Sequence, residues 1–284
     1  MTIAEPELTT MAALLDRHAG VLLDAYGVLI DASGPLPGAR ELIAMLGARG
    51  YPFAIVTNDA SRSRETYARR FAGLGMNVPS ERFVTSGSLL PDYFRSNGLA
   101  GARTCVLGPA DSIQFVVDGG GVPVALERGI DIDAIAVCDD DGYPLVEGLE
   151  IAQSAAIRAM EAGRRPALVL PNPDLVYPKG GGELGITAGA IALVIEAVLA
   201  RRFPGAELRF VHLGKPEPHL FREAARVLGL AIEQLVMVGD QLETDIAGAA
   251  AAGIDAALVA GVSRWEHARD VTGPVPRYRL DGLT

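Results

Sequence analysis

An α/β fold built on a parallel sheet is what this 284-residue sequence predicts. Three observations carry the reading. Runs of four to six aliphatic and β-branched residues recur along the chain, as parallel strands buried on both faces require. Segments with helical spacing separate them, and strand–helix alternation favours a parallel sheet. Polar residues with chemistry to offer then stand where several of these runs end, the edge at which such sheets bind ligands.

The elements follow in order. Val21–Leu23 opens the series inside "VLLDAYGVLID" and ends at Asp24. A helix is expected near Gly38–Arg49, with Leu42, Ile43 and Leu46 on one face. "PFAIVTN" (Pro52–Asn58) is the second run, followed by a polar, arginine-rich helix over Ser61–Leu74. "RFVTS", "TCVLG", "AIAVC", "PALVL", "FVHLG", "LVMVGD" and "DAALVA" continue the pattern. No internal repeat or low-complexity tract interrupts it.

Bulk composition narrows the function. Apolar residues make up 49% of the chain, enough for a sizeable core. The net charge of −10 argues against nucleic acid or an anionic membrane as the main partner. Two cysteines, Cys105 and Cys138, make neither a disulfide framework nor a zinc site. The acidic, polar start "MTIAEPELTT" is unlike a secretory signal, and no apolar run approaches a membrane span. A cytoplasmic protein is the expectation.

Four strand ends hold the chemistry. Asp24 precedes a glycine-containing turn; Thr57 and Asn58 end the second run; Lys215 sits in "HLGKPEP"; Asp240 ends "LVMVGD", with Asp245 five residues on at the start of an alanine-rich helix. Singly, each reads as turn, cap or surface chemistry. Together they supply a carboxylate nucleophile, hydroxyl and amide donors, a lysine and a hard-oxygen acidic pair. Phosphoryl transfer through an aspartyl-phosphate needs that set.

"DAYGVL", "VTND", "GKPEP" and "GDQLETD" resemble, in order, the four motifs of the haloacid dehalogenase superfamily. Lys215 stands 158 positions after Thr57, and Thr57 33 after Asp24. Only the longer interval leaves room for an inserted cap of about 100 residues, which resembles the class IIA branch. "NPDLVYP" (Asn172–Pro178) and "GITAGAIALVIEA" look like the end of that cap and the return helix. The resemblance runs from about Val21 to Val262. It implies a Rossmann-like core over 1–85 and 189–284 and a smaller α/β cap over 86–188. It also implies roles. Asp24 would be the nucleophile. Asp24, Asp240 and the Tyr26 carbonyl would ligate Mg²⁺, with Asp245 in support. Thr57, Asn58 and Lys215 would hold phosphate. A small phosphorylated metabolite is the implied partner, and pairing between caps gives a homodimer by analogy.

Tyr26 departs from the pattern, since phosphatases of the superfamily carry a second Asp there as acid and base. A phenol, with a reference pKa near 10, is a poor base at neutral pH. Slow turnover is therefore expected, unless a neighbour such as Glu243 or Asp59 substitutes. Two alternatives stay open: a non-catalytic binder of phosphometabolites, and a metal-independent 2-haloacid dehalogenase, whose first motif also reads Asp-x-Tyr. The dehalogenase reading lacks room for its cap and leaves Asp240 and Asp245 as bare acids beside the nucleophile.

Some patterns are expected to be decoys. "GGGELG" (Gly180–Gly185) fits a dinucleotide fingerprint but follows turn-like sequence, so it reads as a flexible connector. "CDDDGYP" (Cys138–Pro144) reads as a solvated cap loop. Arg62 and Arg64 read first as a solvated helix face, His212 as a packed or bonded histidine rather than a base, and Trp265 as packing. His18, His219 and His267 carry no readable context.

Overall fold

The computed structural model describes residues 5–261, 263 and 275–283; Trp265 and His267 lie outside them. Two parallel sheets organise the chain. The larger runs Glu7–Thr9, Tyr278–Leu280, Asp255–Val259, Leu235–Gly239, Gly20–Leu23, Phe53–Thr57, Phe83–Thr85, every neighbouring pair parallel. The central strands are buried along their whole length, which is why their sequences are unbroken apolar runs. From Gly20 the chain winds one way through Phe53 to Phe83, and later the other way from Leu235 to Tyr278. Strand order therefore reverses between Gly20–Leu23 and Leu235–Gly239, where such sheets open a crevice. Asp24 and Asp240 follow these two strands.

Helices cover both faces. Ala39–Ala48 buries Leu42, Ile43 and Leu46 on one side, as their spacing requires. On the same side, Arg64–Gly73 buries Tyr67 and Phe71 against Phe83, ring centroids 5.1–5.9 Å apart within the trio. Ser63 caps this helix by accepting from the Thr66 amide. The opposite face holds His219–Leu228, with Leu220, Phe221 and Ala224 buried. No described helix is long and apolar enough to cross a membrane.

The second sheet runs Val211–His212, Ala167–Leu170, Ala134–Val137, Arg103–Leu107, Val122–Pro123, again all parallel. It is the inserted α/β unit. Its extent differs from the expected boundary at residue 188. Helix Ala188–Arg202 buries Ala188, Ile191, Ala192, Ile195 and Leu199 in this sheet's apolar layer, and Val211–His212 forms its edge. We place 189–212 with the insertion. An apolar helix announces that it covers a sheet but not which one. Asp111, from helix Ala110–Asp118 of the insertion, accepts from Ser63 N and Thr66 Oγ1 at 2.7 Å each, tying the two units together.

All seven later runs form strands at the expected places. The edge strand Glu7–Thr9 and its neighbour Tyr278–Leu280 escape a pattern reading, being three residues each with no apolar run. The connector expectation for "GGGELG" is corrected. Val176–Gly180 and Glu183–Ile186 pair antiparallel as a hairpin, with Gly181 and Gly182 at positive φ in its turn. His212 is an exposed edge residue rather than a packed one.

The Tyr67–Phe71–Phe83 trio anchors the helix that later supplies a residue to the cavity. Phe71→Ala is expected to cost about 3–5 kcal/mol, read as a lowered urea midpoint; a loss under about 1 kcal/mol would show that the trio does not hold this helix.

Candidate active site

Lys215 is the centre of the crevice. Its side chain is 1% exposed, and its Nζ donates to Asp24 Oδ1 at 2.8 Å, Asp245 Oδ1 at 2.6 Å and Val56 O at 3.1 Å. Three donors on one ammonium thus meet three acceptors. Burial works to lower the Lys215 pKa, but Asp24, Asp245 and Asp174 outweigh it and hold the ammonium charged. Asp24 is pushed up to about 7 by burial and by Asp245, against the pull of Lys215.

Asp24, Asp240 and Asp245 are all buried, with ligand oxygens within 4.8 Å of one another. Such a hard-oxygen cluster fits a divalent cation of the Mg²⁺ kind. Asp245 is already well used: its Oδ2 accepts from the amides of Asp240 and Gln241, both at 3.1 Å. It braces the loop and the lysine. The close packing explains two motif glycines. Gly27 has φ +89°, and a Cβ there would come within 2.1 Å of the Asp240 carboxylate. A Cβ on Gly239 would come within 2.3 Å of Asp245.

Thr57 and Asn58 lie beside this cluster, both buried. Asn58 differs from its expected part. Its Oδ1 accepts from Lys215 N at 2.6 Å, and its Nδ2 donates to Lys215 O at 3.0 Å and Asp174 Oδ1 at 2.9 Å. With donors and acceptor taken, the side chain is a strut that aims the lysine loop. Gly214 leaves room for it, since a Cβ there would stand 2.4 Å from Asn58 Oδ1.

A cavity of about 370 Å³ opens on Asp24, Tyr26 and Thr57. The Tyr26 ring forms a wall rather than a plug. Tyr177 of the hairpin meets it edge-on at 5.8 Å, and the Arg70 guanidinium lies 5.1 Å from its centroid. The far side is the insertion, with Asp139, Asp140, Asp141, Asn172 and Asp174. "CDDDGYP" is thus a loop at the cavity, half-buried at Asp139 and Asp140 and solvated, as expected, at Asp141, Gly142 and Pro144. Arg62 lines the cavity, while Arg64 pairs with Glu223 at 3.6 Å outside it.

Neither expected substitute for the missing acid fits the part. Asp59 is saturated by Ser61 N, Ser61 Oγ, Arg62 Nη1 and Tyr67 OH at 2.5–2.6 Å. Glu243 is exposed and meets Ser263 at 3.4 Å. Sequence reasoning missed Asp174, Asp139 and Arg70. Burial raises Asp139 to about 7, and raises Asp174 to about 6 despite Lys215 and Asn58. "NPD" carried a signal for Asp174, a carboxylate in a tight turn. Arg70 sits one helical step from the buried Tyr67.

The chain matches known proteins along both halves of the core. A family model described as haloacid dehalogenase-like hydrolase matches residues 21–121, and a second, HAD-hydrolase-like, matches residues 212–283. An acid sugar phosphatase of Staphylococcus aureus is 26% identical over 270 residues, 95% of this chain and 96% of that protein. A Cytophaga hutchinsonii structure described as a possible sugar phosphatase of the HAD superfamily superposes with TM-score 0.84 and 28% identity, covering 98% of each chain. A Mycobacterium tuberculosis glycerol phosphate phosphatase, solved with magnesium, gives TM-score 0.75 and 25% identity over 98% of this chain and 78% of that one. The chain is an enzyme of the hydrolase class.

Asp174 supplies a pH test. Its folded pKa of about 6 lies above the ordinary 3.8, so the folded state holds its proton longer than the unfolded state. Its ionisation therefore costs stability progressively between about pH 4 and 6 and fully above. Asp174→Asn should be more stable than the parent above pH 6, by up to about 3 kcal/mol, with the gap closing toward pH 4 in thermal or urea melts. A gap independent of pH would contradict the assignment.

Proposed function

We propose that this haloacid dehalogenase-like hydrolase is a phosphatase that removes phosphate from a small phosphorylated metabolite, with Asp24 as nucleophile. The observation that carries this is the ammonium of Lys215 held 2.8 Å from Asp24 beside two further buried acids. A bare binding site has no use for a carboxylate aimed at an anionic ligand; a nucleophile has. Asp24 attacks phosphorus, an oxygen–phosphorus bond forms, and the bond to the substrate oxygen breaks, that oxygen leaving as the alcohol with a proton from water. Thr57 donates to a nonbridging oxygen, and the Lys215 ammonium, its N–H groups held by Asp24, Asp245 and Val56, offsets the charge that gathers there. Asp24, Asp240 and the Tyr26 carbonyl would hold Mg²⁺, with Asp245 behind them. When bound, the cation supplies charge neutralisation at the phosphoryl group. Water then releases phosphate and restores Asp24.

The sugar phosphatases and the glycerol phosphate phosphatase among its relatives support a polyol phosphate as the substrate class. Tyr26 removes the usual acid–base group, a contribution worth about 10²–10⁴-fold. Turnover of esters with poor leaving groups is accordingly slow. The dehalogenase reading is weaker, because the clustered acids would repel one another around a metal-free nucleophile.

Phosphate release from a panel of small esters should require Mg²⁺, stop with chelator, and fall below detection in Asp24→Asn. Release that survives the substitution would remove Asp24 as nucleophile; no release from any ester would favour a binding protein.

A further inference from the structure

Among the described residues, Arg70 is the cation of the cavity lining that no carboxylate pairs. Lys215 faces Asp24 and Asp245, and Arg62 faces Asp59 at 2.6 Å. Arg70 has no ion-pair or hydrogen-bond partner for its guanidinium among the described residues, and its Nη1 is sealed from solvent without an acceptor. Its contact is the Tyr26 ring, 5.1 Å from the guanidinium to the centroid. Stacking on an aromatic face is a geometry arginine favours, and it leaves the edge donors of the fork free. Unsatisfied buried donors are rare and call for a partner.

The anomalous residue at position 26 makes this arrangement. A carboxylate there would stand beside Arg70 and neutralise it. A phenol ring instead supports the cation and leaves its charge available on the wall of the cavity that Asp24 also lines. Helix Arg64–Gly73, pinned by Tyr67 and Phe71, fixes the arginine from behind.

We propose that Arg70, stacked on Tyr26, is a subsite for a second anionic group of the substrate, a carboxylate or a second phosphate close to the scissile ester. The inference rests on the phosphatase reading for the first phosphate. It narrows the substrate class to molecules that carry a second anionic group beside the phosphate, such as phosphorylated hydroxy acids. The exchange of Asp for Tyr then trades acid–base help for recognition.

The test is calorimetric binding of 3-phosphoglycerate and glycerol 3-phosphate to the Mg²⁺-loaded Asp24→Asn protein, which reads affinity without turnover. The carboxylate ester should bind roughly tenfold or more tightly, the scale of a hydrogen bond to a charged group. Adding Arg70→Met should erase that ratio, and Arg70→Lys, which keeps the charge but not the fork, should leave part of it. A ratio near one with Arg70 present, or one that survives Arg70→Met, overturns the subsite. Phosphate release by the unmodified protein is measured alongside. Its failure on both esters would sink the phosphatase reading, while the binding ratio would still judge Arg70.

Discussion

An ammonium group buried among carboxylates is the constraint on which the rest of this molecule depends. Lys215 has given up water almost completely, and such desolvation is recovered only where partners are close and well aimed. Asp24 and Asp245 meet that demand at 2.8 and 2.6 Å. The fold can be read as the means of bringing them there. Three strands of one sheet end at the same crevice and deliver Asp24, Thr57 and Asp240. The lysine arrives from after the insertion, on a loop held by Asn58 at both its amide and its carbonyl. Glycines stand where a single methyl group would collide with the acids.

The same electrostatics divide the labour inside the site. Asp245 holds the lysine and two loop amides, so it braces more than it binds. Asp59 is the corresponding brace on the other side, clasped by Ser61, Arg62 and Tyr67. The charges left facing the cavity are Asp24, the acids of the insertion and Arg70. A cavity with a buried carboxylate, a cation that has no ion-pair partner among the described residues, and an aromatic wall is selective for what it admits.

Much of this was legible in the sequence, for physical reasons. Fully buried parallel strands must be apolar along their length, so each reads as a run, and its end marks the ligand edge. Asp24, Thr57, Lys215, Asp240 and Asp245 could be read as one cluster because four weak signals fell in one order, and the fold does bring the lysine and the three acids together. What stayed illegible depends on contacts between distant segments. The helix Ala188–Arg202 is apolar whichever sheet it covers. Asn58 looks like a phosphate ligand until Asp174, 116 positions on, takes its amide. Nothing local separates Arg70 from the other arginines of its helix. Only the packing of Tyr26 against it shows which of them faces the cavity.

The most direct measurement is acid-quenched mass spectrometry of the Mg²⁺-loaded protein during turnover of a phosphate ester, with peptides mapped for a transferred phosphoryl group. The account predicts one phosphoryl group on the peptide containing Asp24, labile to base and absent in Asp24→Asn. A phosphorylated peptide elsewhere, or turnover with none at Asp24 under conditions that trap acyl phosphates, would contradict it.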